Sequence, residues 1–300
     1  MEYLSVKETA DRWGVSERTV RYYCAQGRVA GARMVGKIWN VPADSPKPVR
    51  ANAKALCVSP LLETLRREKA SGVPGGIYHR VQVDLTYNSN RIEGSRLTLD
   101  QTRFIFETAT LGADGEVINV DDVVETVNHF RCIDLIIDCA EDALSEHLVK
   151  KLHLLLKTAT SDSNRDWFAV GDYKRLPNEV GGRATTAPED VEEQVSRLIA
   201  AYEASAPAAL EDIVAFHVAF ERIHPFQDGN GRVGRLIMFK ECLRFGITPF
   251  VIADDMKFYY YRGLGEWDVE RGFLMETCRA AQDRFADTMT RLGISRTDGQ

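Results

Sequence analysis

The twelve residues from His224 to Arg235, "HPFQDGNGRVGR", decide how the rest of the chain is read. They pack one histidine, one aspartate, one asparagine, three glycines and two arginines into a single turn. Before them, "LEDIVAFHVAFERI" places Ile213, Phe216, Phe220 and Ile223 at helical spacing. After them, "GRLIMFKECLRFG" continues as a second helix, expected to leave at Arg232. Free backbone N–H groups at the start of that helix, together with its dipole, form an anion site. Gly229 and Gly231 let the backbone come close to a phosphate, and the Asn230 amide can donate to it. Arg232 and Arg235 supply guanidinium forks suited to phosphate oxygens. Asp228 is a hard oxygen ligand of the kind that holds Mg²⁺ beside a nucleotide. His224 carries the one side chain that titrates near neutrality, so it can serve as general base. These are the parts of a phosphoryl or nucleotidyl transfer.

"GNGRVG", Gly229 to Gly234, also fits the dinucleotide fingerprint G-x-G-x-x-G. That fingerprint must follow a strand. Here it follows an amphipathic helix, and no alternating βα units surround it, so that reading is set aside. No Walker A pattern occurs elsewhere in the chain.

Outward from the motif, residues 61–292 read as mainly helical. "LLETLRREKAS" stops at Gly72, and "IYHRVQVDLTYNSNRIE" stops at Gly94. Thr98 and Gln101 form a capping box ahead of another helix. "VDDVVETVNHFRCIDLIIDCAED" is a long amphipathic helix with Val123, Val127, Phe130 and Leu135 expected inward. Residues 171–187 interrupt the pattern with glycines and a proline and read as a short hairpin. Residues 45–60 are a linker rich in Pro, Ala and Ser, and residues 293–300 are a tail.

Residues 1–44 differ in character. Ser5 and Glu8 form a capping box, with Val6, Ala10 and Trp13 on the buried face. Ser16 opens a second short helix with Val20 and Tyr23 inward. The first fifty residues hold nine Lys/Arg against five Asp/Glu, a charge of +4, while residues 51–300 carry −10. A basic head on an acidic body suggests modules with different partners. The arrangement resembles the winged helix-turn-helix domains of the excisionase and MerR type. That resemblance implies DNA contact through Ser16, Arg18, Thr19, Arg21, Tyr22 and the wing residue Lys37. A protein-interaction module of the same fold is the alternative.

The six cysteines form no C-x-x-C pair and no zinc-ligand spacing, and no run approaches the ~18 apolar residues of a membrane span. A cytoplasmic location without membrane contact is expected.

The motif itself resembles the signature of Fic-domain proteins, H-x-F-x-D/E-G-N-G-R-x-x-R, at every fixed position. The resemblance implies a mainly α fold: a helical core with a β-hairpin flap, here preceded by the winged domain. It implies transfer of AMP from ATP to a Ser, Thr or Tyr hydroxyl of a protein, with Mg²⁺. His224 would take the proton, and Phe226 would anchor the motif. Asp228 would hold Mg²⁺. Gly229, Asn230, Gly231 and Arg232 would bind the phosphates, and Arg235 the γ-phosphate. "SNRIEG" resembles the family's inhibitory motif, with Ser89, Glu93 and Gly94 at its fixed positions, near the end of a helix about 77–94. Glu93 would then pair with Arg235 and keep the γ-phosphate out. The flap would carry Lys174, Val180 and Gly181 toward the target, although the family usually has arginine where Lys174 stands, and this flap contains Pro177. Tyr261 matches a tyrosine near adenine, with aromatic core packing as its alternative. Two further readings stay open: a transcription regulator whose Fic site senses ATP or modifies itself, and an enzyme that removes AMP. A homo-oligomer is compatible with the sequence.

Overall fold

The computed structural model describes residues 3–13, 17, 20–21, 24, 29, 31–36, 38–43, 45, 59–112, 115, 117–205, 207 and 209–295. The chain divides into two compact units, Met1–Cys57 and Val58–Gln300.

In the first unit, strand β1 (Tyr3–Ser5) leads directly into helix α1 (Val6–Trp13). Ser5 Oγ accepts from the Glu8 N–H and the Glu8 carboxylate accepts from the Ser5 N–H, the expected capping box. Strands β2 (Arg33–Val35) and β3 (Ile38–Pro42) complete an antiparallel sheet in the order β1-β3-β2. Val6, Ala10, Trp13, Val20, Cys24, Val29 and Val41 form its small core, with Trp39 packed against it. Ser16, Arg18, Thr19, Tyr22, Tyr23 and Lys37 lie outside the described residues. Arg21 is exposed and pairs with Glu17 at 2.6 Å.

The second unit is built from ten helices among the described residues. Helix α2 (Pro60–Ser71) is capped by the Ser59 hydroxyl and ends at Gly72 in the left-handed conformation. Helix α3 (Ile77–Ile92) follows, then α4 (Leu99–Thr108), whose Thr98–Gln101 capping box forms as the sequence indicates. Helix α5 (Val120–Asp138) and α6 (Glu146–Lys157) come next, then a hairpin of β4 (Glu179–Val180) and β5 (Arg183–Ala184). Helices α7 (Val191–Ser205), α8 (Leu210–Ile223), α9 (Asn230–Phe245), α10 (Lys257–Gly265) and α11 (Gly272–Arg291) close the unit.

Helix α9 is the axis. Residues 232–243 are all buried, and the helix packs against α3, α5, α6 and α8. A helix buried on every side cannot show an amphipathic stripe. Its charged residues Arg232, Arg235, Lys240 and Glu241 must then find partners inside the protein. Lys240 and Glu241 pair with each other at 2.7 Å, and Tyr202 donates to Glu241.

Two boundaries differ from the sequence reading. Helix α9 starts at Asn230 rather than Arg232, because Gly229 takes a left-handed conformation (φ 84°) and its carbonyl accepts from Val233. In α5 the buried apolar positions are Phe130, Cys132, Ile133, Ile136 and Ile137. Val123 and Val127 are half-buried against a satellite cluster of Leu97, Ile105 and Phe130, and Leu135 lies at the rim of the main core. Helix α5 meets α4 near its start and α6 and α9 further on, so its buried arc changes along its length.

Candidate active site

Helix α8 ends at Ile223, and His224 closes it in the left-handed conformation, φ 51° and ψ 62°. A non-glycine residue there carries strain of roughly 1–3 kcal/mol, the kind retained where position matters. The His224 N–H still caps the helix on Phe220 O at 3.0 Å. Its ring Nδ1 faces the Glu221 carbonyl at 3.3 Å. A carbonyl only accepts, so Nδ1 carries the proton and Nε2 remains the basic nitrogen. Burial lowers the His224 pKa, only partly offset by that carbonyl contact. At neutral pH the ring is therefore unprotonated and able to take a proton.

Phe226 is fully buried and stacks on His153, centroids 3.9 Å apart. Asn230 is buried too. Its Oδ1 accepts from the Phe226 N–H and its Nδ2 donates to the Phe226 carbonyl, both at 2.8 Å. Through these two bonds Asn230 braces the loop.

Asp228 sits in an ionic knot that the sequence reading missed. Lys157, at the end of α6, is 2% exposed and its Nζ meets three carboxylates: Glu125 at 2.5 Å, Asp228 at 2.7 Å and Asp162 at 3.0 Å. Arg232 pairs with Glu125 and, at 3.0 Å, with Asp228. Both cations contact Asp228 through Oδ2. Burial alone would raise the Asp228 pKa, but Arg232 and Lys157 hold it far below the usual carboxylate range. Burial would likewise lower the Lys157 pKa, and the Asp228 and Glu125 charges outweigh it and raise it. Arg232 is thus engaged by two carboxylates and buried.

Arg235, one turn further along α9, is held from α3. Its Nε donates to Ser89 Oγ at 3.0 Å, and its Nη2 to Ser89 O at 2.9 Å and to Glu93 Oε1 at 2.7 Å. Ser89 and Arg235 are buried, while the Glu93 side chain is 27% exposed. Glu93 caps α3, and Gly94 follows at φ 101°. The Glu93 carboxylate lies against the first turn of α9. A Cβ placed on Gly231 would overlap Glu93 Oε1 and come within 2.9 Å of Arg235 Nη1. Gly231 therefore opens the space in which this ion pair forms.

The hairpin is tied to the motif from below. Lys174 N–H donates to the Pro225 carbonyl at 2.9 Å. Its Nζ reaches Asn178 Oδ1 at 2.7 Å and Thr185 Oγ1 at 2.6 Å. Lys174 is buried among neutral acceptors, so burial pushes its pKa down to about 8. It fastens the base of the hairpin. Val180 is exposed, and Gly181 and Gly182 make the tip with φ 58° and 76°. Tyr261 is 43% exposed and lines an open groove with Lys257, Phe258 and Arg262. Its neighbour Tyr260 is the buried one, hydrogen-bonded to His217 Nε2 at 2.6 Å. Among the described residues, no three His, Cys, Asp or Glu side chains group as a metal cage, and no helix is long and apolar enough to cross a membrane.

Residues 143–242 match the profile of the Fic/DOC family. "Protein adenylyltransferase Fic" of Drosophila willistoni is 28% identical over 232 residues, covering 74% of this chain and 43% of that protein. The protein of the same name from Drosophila grimshawi is 29% identical over 208 residues, covering 67% and 39%. The chain thus spans about two fifths of the length of these relatives. Its fold is similar to that of a Fic domain containing signaling protein from Bacteroides thetaiotaomicron, with a TM-score of 0.62, 23% identity, and coverage of 80% of this chain and 99% of that one. Fic-1 from C. elegans superposes with a TM-score of 0.60 at 18% identity, covering 77% and 72%.

Proposed function

We propose that this chain is a protein adenylyltransferase that rests in an inhibited state. The observation that carries the reading is the placement of Glu93: its carboxylate holds Arg235 at 2.7 Å against the first turn of α9, within the motif that contains His224. ATP would lie over that turn, its phosphates facing the N–H groups at residues 229–231. His224 Nε2 takes the proton from a Ser, Thr or Tyr hydroxyl of the target. The hydroxyl oxygen then forms a bond to the α-phosphorus, and the bond to the bridging oxygen breaks with departure of pyrophosphate. Val180, Gly181 and the rest of the hairpin edge would carry the target backbone as an added strand. Tyr261 would stand beside the base.

The donor set fits Mg²⁺. Asp228 is half-exposed, ionised, and engaged by its two cations only through Oδ2. A single carboxylate plus substrate phosphates is a common Mg²⁺ arrangement. When bound, the ion would neutralise charge on the phosphate oxygens. In this reading Arg235 passes from Glu93 to the γ-phosphate, and Ser89 steadies the guanidinium in the inhibited state.

Incubation with ATP labelled at the α-phosphate, and Mg²⁺, tests this. Weak self-labelling is expected for the wild type, more for Glu93→Gly and none for His224→Ala. Equal labelling in all three would sink the proposal, and loss of label from a pre-modified target would favour AMP removal instead.

A second reading concerns the first unit. The capped α1, the β1-β3-β2 sheet and the +4 charge of residues 1–50 support a winged helix-turn-helix that contacts DNA. A gel shift on DNA upstream of the protein's own coding region is the test. Binding that is equally tight to unrelated DNA, or absent, counts against it.

A further inference from the structure

Lys157 is among the most deeply buried cations of the described residues, and its ammonium stands between three carboxylates contributed by three segments. Glu125 comes from the second turn of α5, Asp162 from the short turn after α6, and Asp228 from the motif. A buried lysine with neutral surroundings would be costly, and so would three unpaired acids; together they form a closed set. Arg232 joins Glu125 to Asp228 from the other side. The result is that Asp228 Oδ2 has two cationic partners before any substrate arrives.

We propose that Lys157 is a positioning residue for Asp228: its ammonium, with the Arg232 guanidinium, holds Oδ2 and leaves Oδ1 alone to a metal, so that metal is retained only together with nucleotide. The inference rests on the reading of Asp228 as the metal ligand. Its physical basis is the shared oxygen. An ammonium at 2.7 Å and a guanidinium at 3.0 Å on Oδ2 draw off much of the carboxylate's charge. What remains is Oδ1, one oxygen, too little to hold Mg²⁺ without phosphate oxygens to complete the shell. Lysine suits the task because it places a compact point charge with three donors among three acceptors. The contact also fixes the side chain: Asp228 follows a loop, whereas Lys157 is anchored in α6.

Mn²⁺ serves as the probe, with binding followed by electron paramagnetic resonance of the free ion on the full chain. Wild type is expected to bind Mn²⁺ at least tenfold more tightly with a non-hydrolysable ATP analogue than wild type without nucleotide, and than the analogue alone. Lys157→Met should gain nucleotide-independent binding at least tenfold tighter than wild type, because Asp228 Oδ2 loses its ammonium. Lys157→Arg, which keeps the charge, should stay near wild type. Equal Mn²⁺ affinity of wild type with and without nucleotide overturns the proposal, and that comparison needs no variant to fold. So does a folded Lys157→Met variant, its circular dichroism unchanged, with no gain. Asp228→Asn separates the two readings: nucleotide-dependent binding that survives it defeats the assignment of Asp228 itself.

Discussion

Replacing Glu93 by glutamine removes one charge and almost no volume, so it isolates the electrostatic part of the Glu93–Arg235 contact. The pair closes at 2.7 Å, with the arginine buried and the glutamate side chain 27% exposed. Unit charges about 4 Å apart attract by about 4 kcal/mol at an effective dielectric near 20. The partial exposure of Glu93 and the desolvation both charges already bear reduce this, and about 2 kcal/mol is a reasonable net value. If the γ-phosphate competes for the same guanidinium, an incoming nucleotide must overcome that amount. Its removal should then tighten ATP binding by about 30-fold. The same change leaves Arg235 buried with only Ser89 to hold it, so the nucleotide-free variant should melt lower. For a unit of this size, about 2 kcal/mol corresponds to a fall of roughly 4–8 °C. Saturation at about a hundred times Kd returns about 2.7 kcal/mol, so nucleotide should erase the deficit. Isothermal titration with a non-hydrolysable analogue and Mg²⁺ gives the affinity, and thermal melts with and without it give the stability. An affinity within threefold of wild type would refute competition for Arg235, whatever the melts show.

Asn230→Ala should lower the melting temperature by several degrees, reflecting about 2 kcal/mol lost when the Phe226 N–H loses its acceptor in a buried loop; calorimetry checks it, and an unchanged melt would mean that the brace is dispensable. The Glu221 side chain is 15% exposed beside Gly234, its Oε1 is shielded with no hydrogen-bond partner among the described residues, and desolvation raises its pKa from 4.5 to about 8. A raised carboxyl pKa means stability fully present below about pH 4.5 and lost as pH rises toward 8. Glu221→Gln should therefore gain on wild type in melts from pH 5 to pH 8, then level off; a difference that does not vary with pH is the contrary result.

Much of the second unit is readable from sequence because its signals are local. Thr98 and Gln101 cap a helix through bonds that span three residues, and the expected box forms. The four-residue spacing of Ser89 and Glu93 puts both on the same side of α3 and thus on the same guanidinium. The motif is legible because its parts are contiguous. What escapes is set by distant contacts. Nothing local shows that the Asn230 amide turns inward to Phe226, or that Lys174 is swallowed by the hairpin's own acceptors. The knot around Asp228 is assembled from α5, α6 and a turn, so no spacing reveals it. One signal was available. In "EHLVKKLHLLLK" the buried positions are Leu148, Val149, Leu152, His153 and Leu156, and Lys157 continues that face. A cation on a buried stripe requires an acid elsewhere.

The two arginines of the motif, alike in sequence, are unlike in what confines them. Arg232 is bound by Glu125, in the second turn of a nineteen-residue helix, and by Asp228, itself pinned by Lys157. Moving it would take a buried guanidinium from both carboxylates and leave them to Lys157, so this half of the site should behave as fixed scaffold. Arg235 has a single carboxylate, on the last residue before Gly94, where α3 has already ended and φ is 101°. A carboxylate at a helix end, more than a quarter exposed and followed by a left-handed glycine, can withdraw without unravelling the helix behind it. Substitutions around Arg232 should consequently register in stability and metal binding. Substitutions around Glu93 should register mainly in nucleotide affinity. That separation follows from where each acid is rooted, and a Glu125→Gln variant that tightens ATP binding as much as Glu93→Gln would contradict it.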